Sequence, residues 1–144
     1  MARAIGINHV ALEVGDVDEA LAWYGRFLRF ELRGRRPTMV WIDLGDQFLA
    51  LSSGGRQGPD EGRHFGLVVD DKEGVRAALA DAGVDVPESG GLRFRDPWGN
   101  AVEIVDYRDV QFTKAPAILA ALVPDGLEKS AGAREELTRK GLPG

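Results

Sequence analysis

The sequence predicts an α+β fold in which two tandem βαβββ modules are followed by a helical tail. Two runs of alternating apolar residues each lead into a segment with helical apolar spacing and then into further strand-like segments. The two halves also align with each other, because His9 and His64, 55 positions apart, begin similar strands. Between them the composition shifts to Ser, Gly and Pro. We therefore predict a first module at 1–53, a flexible linker at 54–63, a second module at 64–110 and a tail at 111–144.

The first module opens with a predicted strand at 7–14 and a helix. Strand alternation places side chains on two faces: Val10, Leu12 and Val14 on one, and His9, Ala11 and Glu13 on the other. Asp16 or Asp18 can cap the helix. Its apolar residues recur at helical spacing: Val17, Ala20, Leu21, Tyr24 and Leu28. We expect this helix to cover the first of the two faces, which leaves the histidine on the other.

Further strands complete both modules. In the first module they are expected at about 30–34, 38–44 and 47–52, with a hairpin turn at 44–46. The second module is expected to have a strand at 64–71, a helix at 72–82, and strands at 84–86, 92–95 and 101–106. The tail contains a short helical stretch at 115–122 and a charged segment at 127–140. We interpret that segment as a surface helix or a dimer clasp.

The residues Asp-Pro-Trp-Gly-Asn at 96–100 predict a tight hairpin turn. Pro97 presets φ, and Gly99 can adopt a positive φ. In the returning strand, Glu103 lies on the opposite face from Val102 and Ile104. A buried carboxylate at such a position requires a proton, a cation or a metal.

Composition excludes several kinds of protein. The net charge of −5 argues against nucleic acid as a partner, since phosphate binding requires a basic surface. The absence of cysteine excludes disulfides, thiolate metal sites and a cysteine nucleophile. The start Met-Ala-Arg is followed by no apolar segment of signal or transmembrane length. We therefore expect a cytoplasmic protein that does not bind membranes.

The only two histidines of the chain occupy equivalent positions at the heads of equivalent strands. A second alignment, at an offset of 54, places Leu49 over Glu103. The first half would therefore lack a carboxylate at the position where the second half has one.

These residues resemble the vicinal oxygen chelate superfamily, which includes glyoxalase I, bleomycin-resistance proteins, fosfomycin-resistance thiol transferases, methylmalonyl-CoA epimerase and extradiol dioxygenases. The similar features are His9 in Asn-His-Val-Ala-Leu-Glu-Val, His64 in Arg-His-Phe-Gly-Leu-Val-Val, and Glu103 in Asp-Pro-Trp-Gly-Asn-Ala-Val-Glu-Ile-Val. The resemblance implies sheets that curve around a cup and a divalent metal held by these three residues. It also implies a homodimer in which His9 can come from a partner chain. The fourth ligand of the glyoxalase I pattern, at the position of Leu49, is missing, which leaves the three-ligand members.

The chemistry of the ligand set agrees with this expectation. Two imidazoles and one carboxylate, with coordination positions left open, suit Fe(II) and also accept Mn, Ni, Co or Zn. Such a site can chelate two neighbouring substrate oxygens and stabilise developing negative charge. The alternative is that both histidines are satisfied by backbone groups and that Glu103 is paired with an arginine. The register of the repeat favours the divalent metal.

Several further residues are predicted to contact a small organic ligand. Strand alternation directs Met39, Trp41 and Asp43, and on the next strand Gln47, Leu49 and Leu51, into the cup. Phe94 and Arg95 are additional candidates. An anion could be clamped by one of the arginines that lie near strand ends or alternate on a strand: Arg33, Arg35, Arg36, Arg93 and Arg95. Trp41 has the alternative of core or dimer-interface packing, and the arginines have that of a solvated edge. Glu13 is a candidate general base or ligand, with an exposed or salt-bridged carboxylate as its alternative.

The predicted function is that of a metal-dependent enzyme that chelates a small-molecule substrate through two oxygens, with dioxygenase-like, lyase-like or isomerase-like chemistry. The alternative is a binding protein of the bleomycin-resistance type, which sequesters a drug without chemistry. Retention of all three predicted ligands favours catalysis.

Overall fold

The computed structural model describes residues 1–142 and shows an α+β fold with two sheets and four α-helices. The chain forms two compact units. Unit 1 contains Met1–Glu61 together with the turn Asp96–Asn100, and unit 2 contains Gly62–Arg95 and the chain from Ala101 onward. The predicted fold class is confirmed. None of the helices in the described part of the chain has the length and apolar character required to span a membrane.

Unit 1 contains a four-stranded sheet with the order β1-β4-β3-β2. Its strands are β1 (His9–Val14), β2 (Glu31–Arg36), β3 (Met39–Asp43) and β4 (Phe48–Ser53). β1 is parallel to β4, and the other pairs are antiparallel. The helix α1 (Val17–Tyr24) begins at Asp16, whose carboxylate accepts hydrogen bonds from the backbone N–H groups of Asp18 and Glu19. The predicted capping and hairpin turn are thus confirmed, with Gly45 at φ 88° in the turn.

The register of the first sheet separates its side chains into a buried face and a second face that carries His9. On the buried face, Leu49 is paired with Ile42 and Leu51 with Val40, and all are at most 3% exposed. The prediction that Leu49 and Leu51 point toward the cup is therefore wrong, because the alternation of side chains along β4 is shifted by one residue. The face that carries His9 is completed by these paired residues: Phe48, Ala11, Ala50, Trp41 and Gly34.

Unit 2 contains a three-stranded sheet with the order β5-β7-β6. Its elements are β5 (Phe65–Val69), α2 (Lys72–Asp81), β6 (Leu92–Arg95) and β7 (Ala101–Asp106). The prediction of a strand at 84–86 is wrong, because this segment adopts no strand structure. Pro87 follows it directly, lacks an N–H group and restricts the residue before it. The described sheet of unit 2 therefore has one strand fewer than expected.

The tail packs against the end of β7. A short 3-10 turn, Tyr107–Asp109, follows β7, and the helices are α3 (Pro116–Leu122) and α4 (Ala131–Arg139). Lys129, which is 9% exposed, donates hydrogen bonds to the carbonyls of Tyr107, Val110 and Phe112. Burial lowers the pKa of its ammonium group, and the charge of Asp106 opposes that shift. α4 buries Ala133 and Leu137, so one side of this predicted surface helix contacts the chain itself.

The predicted turn at 96–100 forms with Gly99 at φ 87°. Asp96 is 4% exposed, and its carboxylate accepts hydrogen bonds from the Tyr24 hydroxyl at 2.9 Å and from the Asn100 side chain at 2.7 Å. The backbone N–H groups of Trp98 and Asn100 donate to its other oxygen. The Asn100 side chain also donates to the carbonyl of Glu13. The turn therefore belongs to the core of unit 1, although its flanking strands belong to unit 2.

Candidate metal site

The central residue of the candidate site is Glu103, in the middle of β7. It is paired with Gly66 on β5 and with Arg93 on β6, so these three residues lie on one face of the sheet. Its neighbours Val102 and Ile104 point to the other face, where they are 1% and 0% exposed. The Glu103 side chain is 23% exposed. Strand alternation therefore keeps the carboxylate out of the apolar core and accessible to a ligand.

Two side chains of unit 2 approach the same oxygen of Glu103. His64, directly before β5, places Nε2 at 3.5 Å from Oε2. Arg93 donates from Nη2 to that oxygen at 3.0 Å. The arginine pairing, which is the alternative to metal binding, is thus present. Histidine and carboxylate nevertheless remain adjacent.

The separation of His64 and Glu103 suits two ligands of one ion. Two donors that each lie about 2.1 Å from a metal can be at most about 4.2 Å apart. The observed 3.5 Å between Nε2 and Oε2 lies within that limit. An imidazole nitrogen and a carboxylate oxygen are also suitable donors for Fe, Mn, Ni or Zn. These two residues therefore fit a divalent metal.

The third predicted ligand, His9, belongs to unit 1. Its ring is stacked on Phe48, with centroids 4.7 Å apart and planes at 6°, and the Arg33 guanidinium lies 4.6 Å from the centroid of the Phe48 ring. Asn8 Oδ1 lies 2.8 Å from His9 Nδ1. Because an amide oxygen only accepts hydrogen bonds, the Nδ1–H group is the donor in this contact. The contact orients the ring and leaves Nε2 as the nitrogen that is available to a metal.

Within residues 1–142, no group of three His, Asp or Glu side chains is close enough to hold a metal ion. Unit 2 supplies the pair His64 and Glu103. The assignment of His9 as their third ligand stays a prediction.

The register also changes the comparison between the two halves. Gly66 is paired with Glu103, and its equivalent Ala11, 55 positions earlier, is paired with Ala50. Ala50 therefore occupies in unit 1 the place that Glu103 has in unit 2. The alignment of Leu49 with Glu103 was wrong, although alanine equally supplies no carboxylate.

The predicted ligand-contacting residues fall into two groups. Met39 and Trp41 are half-buried on the face that carries His9, and the Arg36 guanidinium lies 5.7 Å from the Trp41 ring centroid. Arg95 alternates with Arg93 on β6 and is exposed. In contrast, Leu49 and Phe94 are 2% and 4% exposed on the buried faces of their sheets. Packing in the core accounts for these last two residues.

Glu13 has a structural partner. Its Oε2 accepts a hydrogen bond from the backbone N–H of Gln57 at 2.7 Å. The Gln57 side chain donates in turn to Asp60, which is 8% exposed. The carboxylate thus stabilises one conformation of the segment that was expected to be a flexible linker. A role for Glu13 as general base stays a prediction.

That Arg93 is the arginine paired with Glu103 was not predicted, although the sequence contains a signal for it. Both residues are five positions from Trp98, the centre of the turn at 96–100. In a hairpin closed by that turn they must face each other, as the register confirms.

Comparison with known proteins agrees with the fold and the repeat. The family model of the Glyoxalase/Bleomycin resistance protein/Dioxygenase superfamily matches residues 6–104. A structure of lactoylglutathione lyase from Agrobacterium tumefaciens is 23% identical, with a TM-score of 0.57, and the match covers 73% of this chain and 96% of that one.

Two further structures show the same fold. A putative glyoxalase family protein from Bacillus anthracis is 21% identical, with a TM-score of 0.61, over 74% of this chain and 98% of the other. The fosfomycin resistance protein FosX from Listeria monocytogenes is 14% identical, with a TM-score of 0.58, over 72% and 94%. Comparison with curated protein sequences gives no match.

Proposed function

This chain belongs to the Glyoxalase/Bleomycin resistance protein/Dioxygenase superfamily, and from that membership we propose that it is a metal-dependent enzyme of the cytoplasm that acts on a small organic substrate. The substrate would be bound through two neighbouring oxygens. The observation that supports this proposal most directly is the pair His64 and Glu103, whose Nε2 and Oε2 atoms are 3.5 Å apart on an accessible face of the sheet.

The proposed ligands are His64, Glu103 and His9, with His9 supplied by the same chain or by a second copy in a homodimer. A divalent metal, when bound, would supply a Lewis acid with open positions for two substrate oxygens. The chain's own residues would orient the ligands. Asn8 orients the ring of His9, and strand pairing holds Glu103 beside Gly66 and Arg93. With this ligand set we favour dioxygenase-like or lyase-like chemistry.

The test is elemental analysis of untagged protein after dialysis against trace Fe, Mn, Ni and Zn. We expect about one metal ion per chain in the wild type and a large loss in His9→Ala, His64→Ala and Glu103→Ala, because each removes one of few ligands. Glu73→Ala is the matched control, since Glu73 is an exposed carboxylate of unit 2 paired only with Arg76 among the described residues. It should bind metal like the wild type.

A metal content in the wild type no higher than in the three variants would contradict the enzyme proposal. The sequestering function of the bleomycin-resistance type would then be tested by stoichiometric titration with a basic glycopeptide. If metal is bound, turnover assays would begin with catechols and 2-oxo acids.

A further inference from the structure

In this structure, Arg93 supplies the positive charge that is paired with the carboxylate of Glu103. Its Nη2 lies 3.0 Å from Oε2, and the only other partner of Glu103 among the described residues is His64. Arg93 has no further partner in the described part of the chain. The ion pair is thus isolated from other charged networks, and it can break without unpairing a third residue.

The same oxygen would be required by a metal. His64 Nε2 approaches Oε2, so a cation that binds both residues competes with Arg93 for that oxygen. A guanidinium cannot lose its proton to relieve the resulting repulsion between like charges. Its side chain is 50% exposed and can therefore turn away. Metal binding would release Arg93 from Glu103.

We propose that Arg93 is a specificity-determining residue that is released from Glu103 by the metal and then binds an anionic group of the substrate. This inference rests on the proposed function and narrows its substrate class to small organic acids that carry, near the two chelating oxygens, a separate carboxylate or phosphonate. Arg93 remains opposite Glu103 on the neighbouring strand, and its planar guanidinium can bind such a group through two hydrogen bonds.

A purely positioning role for Arg93 leads to the opposite expectation. If Arg93 only held Glu103 in place for the metal, its loss would weaken metal binding. If it competes for Oε2, its loss strengthens metal binding. The direction of the change therefore separates the two roles.

The experiment measures Mn²⁺ affinity by calorimetry for the wild type, Arg93→Met and the control Arg76→Met, which removes an exposed arginine of unit 2 paired with Glu73. Each protein is titrated alone, with 2-oxoglutarate, and with 2-oxopentanoate. Both compounds chelate through their 2-oxo acid oxygens, and only 2-oxoglutarate has a second carboxylate that is free to bind Arg93. In the wild type, we expect 2-oxoglutarate to tighten Mn²⁺ binding at least about fivefold more than 2-oxopentanoate does.

Arg93→Met should bind Mn²⁺ about tenfold more tightly than the wild type and lose the preference for 2-oxoglutarate over 2-oxopentanoate. Arg93→Lys keeps the charge without the planar guanidinium and provides a second variant if the first does not fold. It should bind Mn²⁺ like the wild type with a reduced preference for 2-oxoglutarate. Arg76→Met should match the wild type throughout.

Equal or weaker Mn²⁺ binding by Arg93→Met, or an unchanged preference for 2-oxoglutarate in both Arg93 variants, would overturn the role of Arg93 while leaving the metal site intact. Absence of Mn²⁺ binding in the wild type and in all variants, with no Fe, Ni or Zn bound in the elemental analysis, would overturn the proposed function and this inference together.

Discussion

Asp96 is a buried carboxylate whose negative charge is stabilised by hydrogen bonds. Two backbone N–H groups, the Asn100 side chain and the Tyr24 hydroxyl donate to it. Burial and the neighbouring Asp96 charge raise the pKa of Tyr24. The hydroxyl therefore remains a donor at any pH at which the protein is expected to work. This contact joins α1 to the turn at 96–100 inside unit 1.

Tyr24→Phe should lower the free energy of unfolding at neutral pH by about 1.5–3 kcal/mol, because it removes a buried hydrogen bond to a charged group. The wild type should also lose stability as the pH rises above about 10, the pKa of an unfolded tyrosine. Above that pH the folded state keeps the Tyr24 proton, whereas the unfolded state has released it. The free energy of unfolding therefore falls as the pH rises further toward the folded pKa.

Urea denaturation of both proteins between about pH 7 and pH 11 measures the two effects. Tyr107→Phe, which removes the other tyrosine hydroxyl of the chain, is the control. A Tyr24→Phe variant that is as stable as Tyr107→Phe at neutral pH would show that the bond to Asp96 contributes little.

The hairpin formed by β6 and β7 links the turn chemistry to the candidate site. The turn at 96–100 sets the register in which Arg93 faces Glu103, and it places Gly99 against Pro59 of unit 1. A Cβ atom on Gly99 would lie 2.6 Å from Pro59 Cβ, while φ is 87°. Glycine is therefore required at position 99 for two reasons. The positive φ disfavours a side chain, and Pro59 leaves no room for one.

Gly99→Ala should destabilise the protein by more than the cost of a positive φ alone, which is about 1–2 kcal/mol for an alanine. Gly126→Ala is the matched control, because Gly126 has a φ of 83° and an added Cβ there meets no atom within 4 Å. Urea denaturation of both variants gives the difference, which measures the contact with Pro59. Equal losses of stability would mean that Pro59 moves aside without cost.

At the scale of the whole molecule, the predicted ligands are divided between two compact units. His9 lies in unit 1, and His64 and Glu103 lie in unit 2, with no group of three convergent ligands in the described part of the chain. Symmetric homodimers can build a site from residues of two copies. The resemblance to the superfamily implies this arrangement, so we expect His9 of one copy to join His64 and Glu103 of another.

Refolding His9→Ala and His64→Ala together should restore metal binding to about one quarter of the wild-type content per chain, because half of the dimers would be mixed and each would contain one intact site. A mixture of His64→Ala and Glu103→Ala is the control and should bind no metal in either arrangement. Metal analysis of the two mixtures checks this prediction. A first mixture that binds no more than the second would place all three ligands within one chain.

The sequence by itself determined the fold class, the repeat, the cap of α1 and the turn at 96–100. These features depend on local periodicity and on turn residues such as Asp16, Gly45 and Gly99. Local periodicity also placed Glu103 correctly on the face away from Val102 and Ile104. It predicted a strand at 84–86 wrongly, because three alternating residues do not show whether a neighbouring strand is available for pairing.

Only the tertiary structure decided the orientation of β4 and the partners of the polar residues. Since side chains alternate with a period of two, a shift of one residue turned Leu49 inward and placed Ala50 opposite Ala11. The partners Gln57 for Glu13 and Tyr24 for Asp96 are 44 and 72 positions away in the chain. Contacts over such separations arise from the packing of whole elements, and this is why the sequence pattern identified these carboxylates without identifying what binds them.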